Sequence, residues 1–154
     1  NLTARTGLTI ITNSLPVAAA FVDSPGNQLI MTGGTLRASI LALVGDATNR
    51  TIRGIHADTT FLSGNGLDAG FGLSTPNMTV ADADRAMAAS ATRVVVLADH
   101  TKLGVRTAIQ TLPTASISHL VTDSGSPAAQ LEALSQKGVD VHIATITAGL
   151  LDTV

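Results

Sequence analysis

The segment that most constrains this chain is Arg93 to Ala98, which carries Val94-Val95-Val96-Leu97 without a polar interruption. A half-exposed strand would alternate apolar and polar residues. An unbroken β-branched run instead predicts a strand covered on both faces of its sheet. Helices are the usual cover, so the run predicts an α/β chain with a largely parallel sheet and helices on both faces. At 154 residues the chain fits one compact domain with a real core.

The flanking segments read the same way. Leu8 to Thr12 is a β-rich run ended by Asn13-Ser14. Ser14 can cap a helix over Leu15 to Val22, with Pro16 in its first turn. Gln28 to Thr32 reads as a strand, Gly45 to Ile55 as a helix and Asp58 to Leu62 as a strand; Ala38 to Val44 fits strand or buried helix. Ser63 to Pro76 holds Gly64, Gly66, Gly70, Gly72 and Pro76 and reads as a long loop. Thr79-x-x-Asp82 approximates a capping box for the next helix. Ile117 to Val121 is a strand, Ser126-Pro127 opens a helix that Gly138 ends, and Val139 to Ile146 is a last strand.

Composition removes several classes of function. Hydrophobic residues make up 45% and charged residues 13%, against about 25% charged in an average domain. That excludes a disordered chain. The absence of Cys excludes a disulfide scaffold and a Cys-ligated metal. A net charge of −2 and 2% aromatics leave neither a basic surface nor a stacking platform for a freestanding nucleic-acid binder. The longest apolar run, Leu15 to Val22, is far short of the roughly 18 residues of a membrane span. The start lacks a secretory signal, so a cytoplasmic setting is expected. The chain begins without Met, nearly on top of its first strand, which reads as a fragment of something longer.

In parallel α/β sheets ligands sit beyond the carboxyl ends of the strands, so the loops there carry the candidate chemistry. Asp99-His100-Thr101-Lys102-Leu103-Gly104 follows the apolar strand, and Lys102 can meet an anion as a point charge; the plain alternative is a surface turn. Gly33-Gly34-Thr35-Leu36-Arg37 offers freed backbone N–H groups and a guanidinium, or simply a tight turn and a surface Arg. Asn13 and Ser14 stand at a helix start that suits a phosphate, though an N-cap is the simpler reading. Gly64-x-Gly66 invites a dinucleotide reading with Ala69 as third member. Gly70-Phe71-Gly72 then opens a helix poorly, so a backbone-lined loop near a ligand or partner fits better. His56, His100, His119 and His142 show no metal spacing, and His119 and His142 read as core or surface fill. No metal ligands, cofactor, catalytic elbow, Walker loop or acid/base pair is evident.

Taken in order, these segments resemble the C-terminal sensor domain of DeoR-family transcriptional repressors. The resemblance rests on Leu8-Thr9-Ile10-Ile11-Thr12-Asn13-Ser14-Leu15, Gly33-Gly34-Thr35-Leu36-Arg37, Phe61-Leu62-Ser63-Gly64-Asn65-Gly66-Leu67, Arg85-Ala86-Met87, Val95 through Gly104, and Leu120-Val121-Thr122-Asp123. It implies a fold similar to ribose phosphate isomerase, glucosamine phosphate deaminase and CoA-transferases. It also implies a non-catalytic sensor of a phosphorylated sugar or related metabolite, in a homo-oligomer. DNA would be met only through a helix-turn-helix domain absent from residues 1–154. By the same resemblance Asn13 and Ser14 line the phosphate end, Lys102 pairs with the anion, and Asp99 bonds sugar hydroxyls or orients Lys102. Gly33, Gly34 and Arg37 border the pocket or a subunit contact, Gly64 and Gly66 allow close backbone approach, and Gly104 closes the Lys102 segment. The family's Asp-x-Gly-Thr-Thr loop is not matched by Thr3-Ala4-Arg5-Thr6-Gly7, so the pocket is expected to be incomplete at its N-terminus. The rival reading is a sugar phosphate isomerase or deaminase of the same superfold, with Asp68, Asp99 or His100 as base. A third is an oligomerisation domain with a decayed site.

Overall fold

A computed structural model describes residues 2–144. The chain divides into two compact units, Asn1–Ile55 and His56–Val154.

The first unit pairs β1 (Thr9–Thr12) with β2 (Gln28–Met31) in parallel across α1 (Leu15–Phe21). Ser14 caps α1 as expected: its Oγ accepts from Val17 N–H at 3.4 Å, and Pro16 lies in the first turn where its missing N–H leaves no bond unmade. A hairpin of β3 (Thr35–Arg37) and β4 (Ala42–Val44) follows, then α2 (Asp46–Arg53). The ambiguous stretch Ala38 to Val44 is thus a turn and a short strand, with Leu41 at φ 50 in the bend. Gly34 has φ +133, and a methyl there would overlap the Thr48 hydroxyl, so the Gly is needed for α2 to close on the hairpin.

The second unit holds the parallel sheet. Its strands are β5 (Ala57–Leu62), β6 (Gly66–Asp68), β7 (Gly72–Thr75), β8 (Ala91–Leu97), β9 (Ile109–Leu112), β10 (His119–Asp123) and β11 (Asp140–Ala144). Its helices are α3 (Met78–Ala89) and α4 (Ala128–Gln136). The order β11-β10-β8-β5 is parallel throughout, with the Val94-Val95-Val96 strand inside it. The α/β class and the largely parallel sheet expected from that run are observed. Leu62, Val94, Val96 and Leu120 share one face and pack with Met87 and Ala88 of α3 and Leu131 and Leu134 of α4. Both helices therefore serve the same face, so the cover expected on both faces is found on one among the described residues of this unit. On the other face Val95 is buried, while Phe61 and Leu97 are exposed.

The structure corrects three local readings. Ser63 to Pro76 is not a structureless loop: β6 and β7 form a hairpin within it, and β7 pairs with β9, a strand not foreseen. Close packing explains the glycines. A Cβ on Gly64 would stand 2.7 Å from Leu73 Cδ1, one on Gly66 would overlap the Val105 carbonyl, and Gly72 (φ +92) lies on the Leu112 carbonyl. The cap of α3 is Asn77, whose Oδ1 accepts from Val80 N–H at 3.1 Å, rather than Thr79. The strand placed at Ile117 starts at His119, because Thr114–Ser116 form a 3-10 turn that leaves Ile117 buried just ahead of it. Of the expected last strand, Ile146 lies outside the described residues.

Candidate functional site

The parallel sheet of the second unit brings the carboxyl ends of β8 and β10 side by side. β8 runs on through Ala98, whose N–H donates to Val121 O at 3.1 Å. Asp99 then leaves in extended conformation and caps a 3-10 turn, His100–Lys102. Its Oδ1 accepts from Thr101 N–H at 2.9 Å and from the Thr101 hydroxyl. Those two bonds, with the nearby Lys102 and His100 charges, hold the Asp99 carboxyl below the usual carboxylate range. Its Oδ2 accepts nothing from a described residue. The Lys102 side chain is half-buried and makes no ion pair with the described residues.

Asp123 ends β10 and turns back to the same place. Its Oδ2 accepts His100 N–H at 2.8 Å, and its Oδ1 accepts Gly125 N–H at 2.8 Å and faces His100 Nδ1 at 2.9 Å. The His100 N–H is the strongest influence on its acidity. With Gly125 and the imidazole it outweighs desolvation and lowers the Asp123 pKa. The turns after β8 and β10 are thereby tied into one polar edge of Asp99, His100, Lys102 and Asp123. Ionised carboxylates with a free oxygen accept sugar hydroxyls, and an unpaired ammonium attracts an anion.

The other expected site residues divide by unit. Gly64, Gly66 and Gly104 lie in the second unit and are accounted for by packing. Gly104, at φ +77, donates its N–H to Leu67 O at 2.8 Å and faces the Gln130 side chain. In the first unit Asn13 Nδ2 donates to Leu43 O at 2.9 Å, which ties β1 to β4, and Ser14 serves as a cap. Gly33 accepts a hydrogen bond from Thr48 through its carbonyl, Gly34 packs on Thr48, and Arg37 ends β3 paired with Ala42, its guanidinium without a hydrogen-bond or ion-pair partner among the described residues. Asp68, a candidate base by sequence, is committed elsewhere. Although burial opposes its ionisation, Arg106 at 2.8 Å and the N–H groups of Gly70 and Phe71 lower its pKa. An open cleft of about 300 Å³ lined by Arg85, Ala88, Thr92, Leu112 and Ser118 lies at the amino end of β8, away from this edge.

The His100–Asp123 pair was not visible in the sequence. Both residues fall in loops that follow strands. Only the sheet order makes those loops neighbours, and spacing along the chain carries no such signal.

Residues 1–124 match the family described as the DeoR C-terminal sensor domain. The chain is 36% identical over 131 residues to the HTH-type transcriptional regulator GlpR of Haloferax volcanii, covering 85% of the chain and 51% of that protein. It is 32% identical over 137 residues to the HTH-type transcriptional regulator GolR of Listeria innocua, covering 89% of the chain and 54% of the relative. The glycerol-3-phosphate regulon repressor of Escherichia coli is 23% identical over 139 residues, covering 90% and 55%. The chain spans about half the length of the curated relatives it matches. No helix among the described residues is long and apolar enough to cross a membrane.

Proposed function

Because this chain belongs to the DeoR family of transcriptional regulators, as its C-terminal sensor domain, we propose that it reads a phosphorylated sugar or related metabolite. Binding then alters how a helix-turn-helix domain elsewhere in the parent protein holds its operator. The relatives are named as transcriptional regulators and one is named for a phosphorylated metabolite, which favours a sensor over an enzyme. The observation that carries the reading is the polar edge after β8 and β10, where Lys102 has no ion-pair partner among the described residues and Asp99 keeps a free carboxylate oxygen. Lys102 meets the phosphate and Asp99 takes a hydroxyl. Asp123 and His100 hold the two turns in register. Asn13, Ser14, Gly33, Gly34 and Arg37 are proposed separately, as ligand-binding residues of the first unit by itself, and the regulator acts in the cytoplasm as a homo-oligomer.

The test is calorimetric titration of the parent protein with a panel of aldose and ketose phosphates, beside Lys102→Ala. Losing a charge-assisted bond of roughly 1.5–3 kcal/mol weakens binding by about ten- to a hundred-fold. Undiminished affinity in Lys102→Ala removes Lys102 from the site. Turnover of a sugar phosphate that disappears in Asp99→Asn replaces the sensor reading with the isomerase or deaminase.

A further inference from the structure

The parallel register of β10 on β11 sets His119 opposite Asp140 and Val121 opposite His142. Side chains alternate along a strand, so His119, Asp140 and His142 project from the same face. It is the face away from the apolar cluster, because Leu120 and Val141, the intervening pair, pack into that cluster. Three donor atoms converge there. His119 Nδ1 lies 3.2 Å from His142 Nε2. Asp140 Oδ2 lies 3.3 Å from His119 Nδ1 and 3.2 Å from His142 Nε2. The three atoms form a nearly equilateral triangle.

Hydrogen bonding accounts for at most two sides of that triangle, with both imidazole N–H groups donating to Asp140 Oδ2, and it then leaves the two nitrogens 3.2 Å apart as like groups. A ring nitrogen offers one hydrogen or one lone pair, directed along a single line in the ring plane. It serves one neighbour well and not two neighbours some 60° apart. A cation above the centre of the triangle satisfies all three donors at once. A tetrahedral ion with ligands at 2.0–2.1 Å spaces them about 3.3–3.4 Å apart, close to the separations found. We propose that His119, Asp140 and His142 are three ligands of a divalent transition-metal site of the zinc type, with no fourth protein ligand among the described residues.

The donor set selects the metal class. Two imidazoles and a carboxylate suit Zn²⁺, Co²⁺, Ni²⁺ and Cu²⁺, whereas Mg²⁺ and Ca²⁺ take oxygen shells. The side chains are 32%, 61% and 53% exposed for His119, Asp140 and His142, so an ion and a water have access. The rings are set 33° apart with centroids at 5.4 Å, so each nitrogen turns inward without the rings stacking. The site is separate from the polar edge, because His119 starts β10 and Asp123 ends it, about 13 Å apart at strand rise. A bound ion joins the edge strand β11 to its neighbour and stabilises that pairing by mass action.

The test uses the tag-free protein after treatment with a chelator. Zn²⁺ is titrated by calorimetry and Co²⁺ by its visible d–d absorption, with Mg²⁺ as control. One Zn²⁺ or Co²⁺ per chain is expected, with the intense bands of tetrahedral Co²⁺, and no heat from Mg²⁺. Affinity falls about a hundred-fold or more in His142→Ala and in the isosteric Asp140→Asn, and is unchanged in His56→Ala, which alters an exposed His outside the triangle. Circular dichroism checks each fold, and Asp140→Asn decides if His142→Ala does not fold. Failure of both ions to bind, or equal binding by wild type and a folded Asp140→Asn, overturns the site.

Discussion

Asp84 sits half-buried on α3, and its carboxylate accepts no hydrogen bond from a described residue. Burial pushes its pKa up to about 7, while an unfolded Asp titrates near 3.8. Between those values the folded protein holds a proton that the unfolded chain has lost. Stability therefore falls as pH rises from about 4 to about 7 and is level above that window. Asp84→Asn should remove the slope, leaving a denaturant midpoint that is flatter with pH and higher than wild type at pH 8. A variant whose midpoint still falls across the window would show that another group carries the dependence. Asp99 and Asp123 have the opposite sense, since a carboxylate whose pKa is lowered by folding contributes stability that is lost as pH falls through its titration. Spacing showed that Asp99, Lys102 and Asp123 follow strands. Nothing in it showed that Asp123 turns onto His100, because that contact spans the sheet and not the chain.

At the level of elements, structure set by local residues is legible in the sequence and structure set by distant partners is not. Pro16 and Ser14 announce α1, and Gly138 ends the helical segment after Ser126-Pro127, because each acts on its own turn. Asn77 shows how near neighbours compete. Asn77 and Thr79 both suit a cap, and the structure uses Asn77 for Val80 N–H while the Thr79 hydroxyl donates to Asn77 Oδ1 at 2.7 Å. Asn77→Ala should cost about 0.5–2 kcal/mol, read as a lower urea midpoint with faster amide exchange in the first turn of α3. Thr79→Ala, which leaves the cap in place, should cost less. The hairpin of β6 and β7 is hidden in the sequence because its glycines look like loop residues. They are instead places where one backbone rests on another, and a single sequence does not distinguish the two uses.

For the whole molecule, the Val94-Val95-Val96 run was enough to place a parallel sheet, since burial of a strand is written in its own residues. Sheet order is not, and from it follow the polar edge after β8 and β10 and the triangle on β10 and β11. If the polar edge is the sensing site, a sugar phosphate should release the parent protein from its operator, and Lys102→Ala should raise the concentration needed about ten-fold or more. Release by unphosphorylated sugars at equal concentration would argue against an anion-led site. The pairing of β7 with β9 has a consequence for synthesis. Leu73 finds its partner in Leu112, 39 residues later, after α3 and β8. At roughly 5–20 residues per second, a ribosome takes about 2–8 s to deliver that partner. Through that interval β7 has an unmatched edge open to another nascent chain, and its protection depends on how soon the rest of the protein arrives.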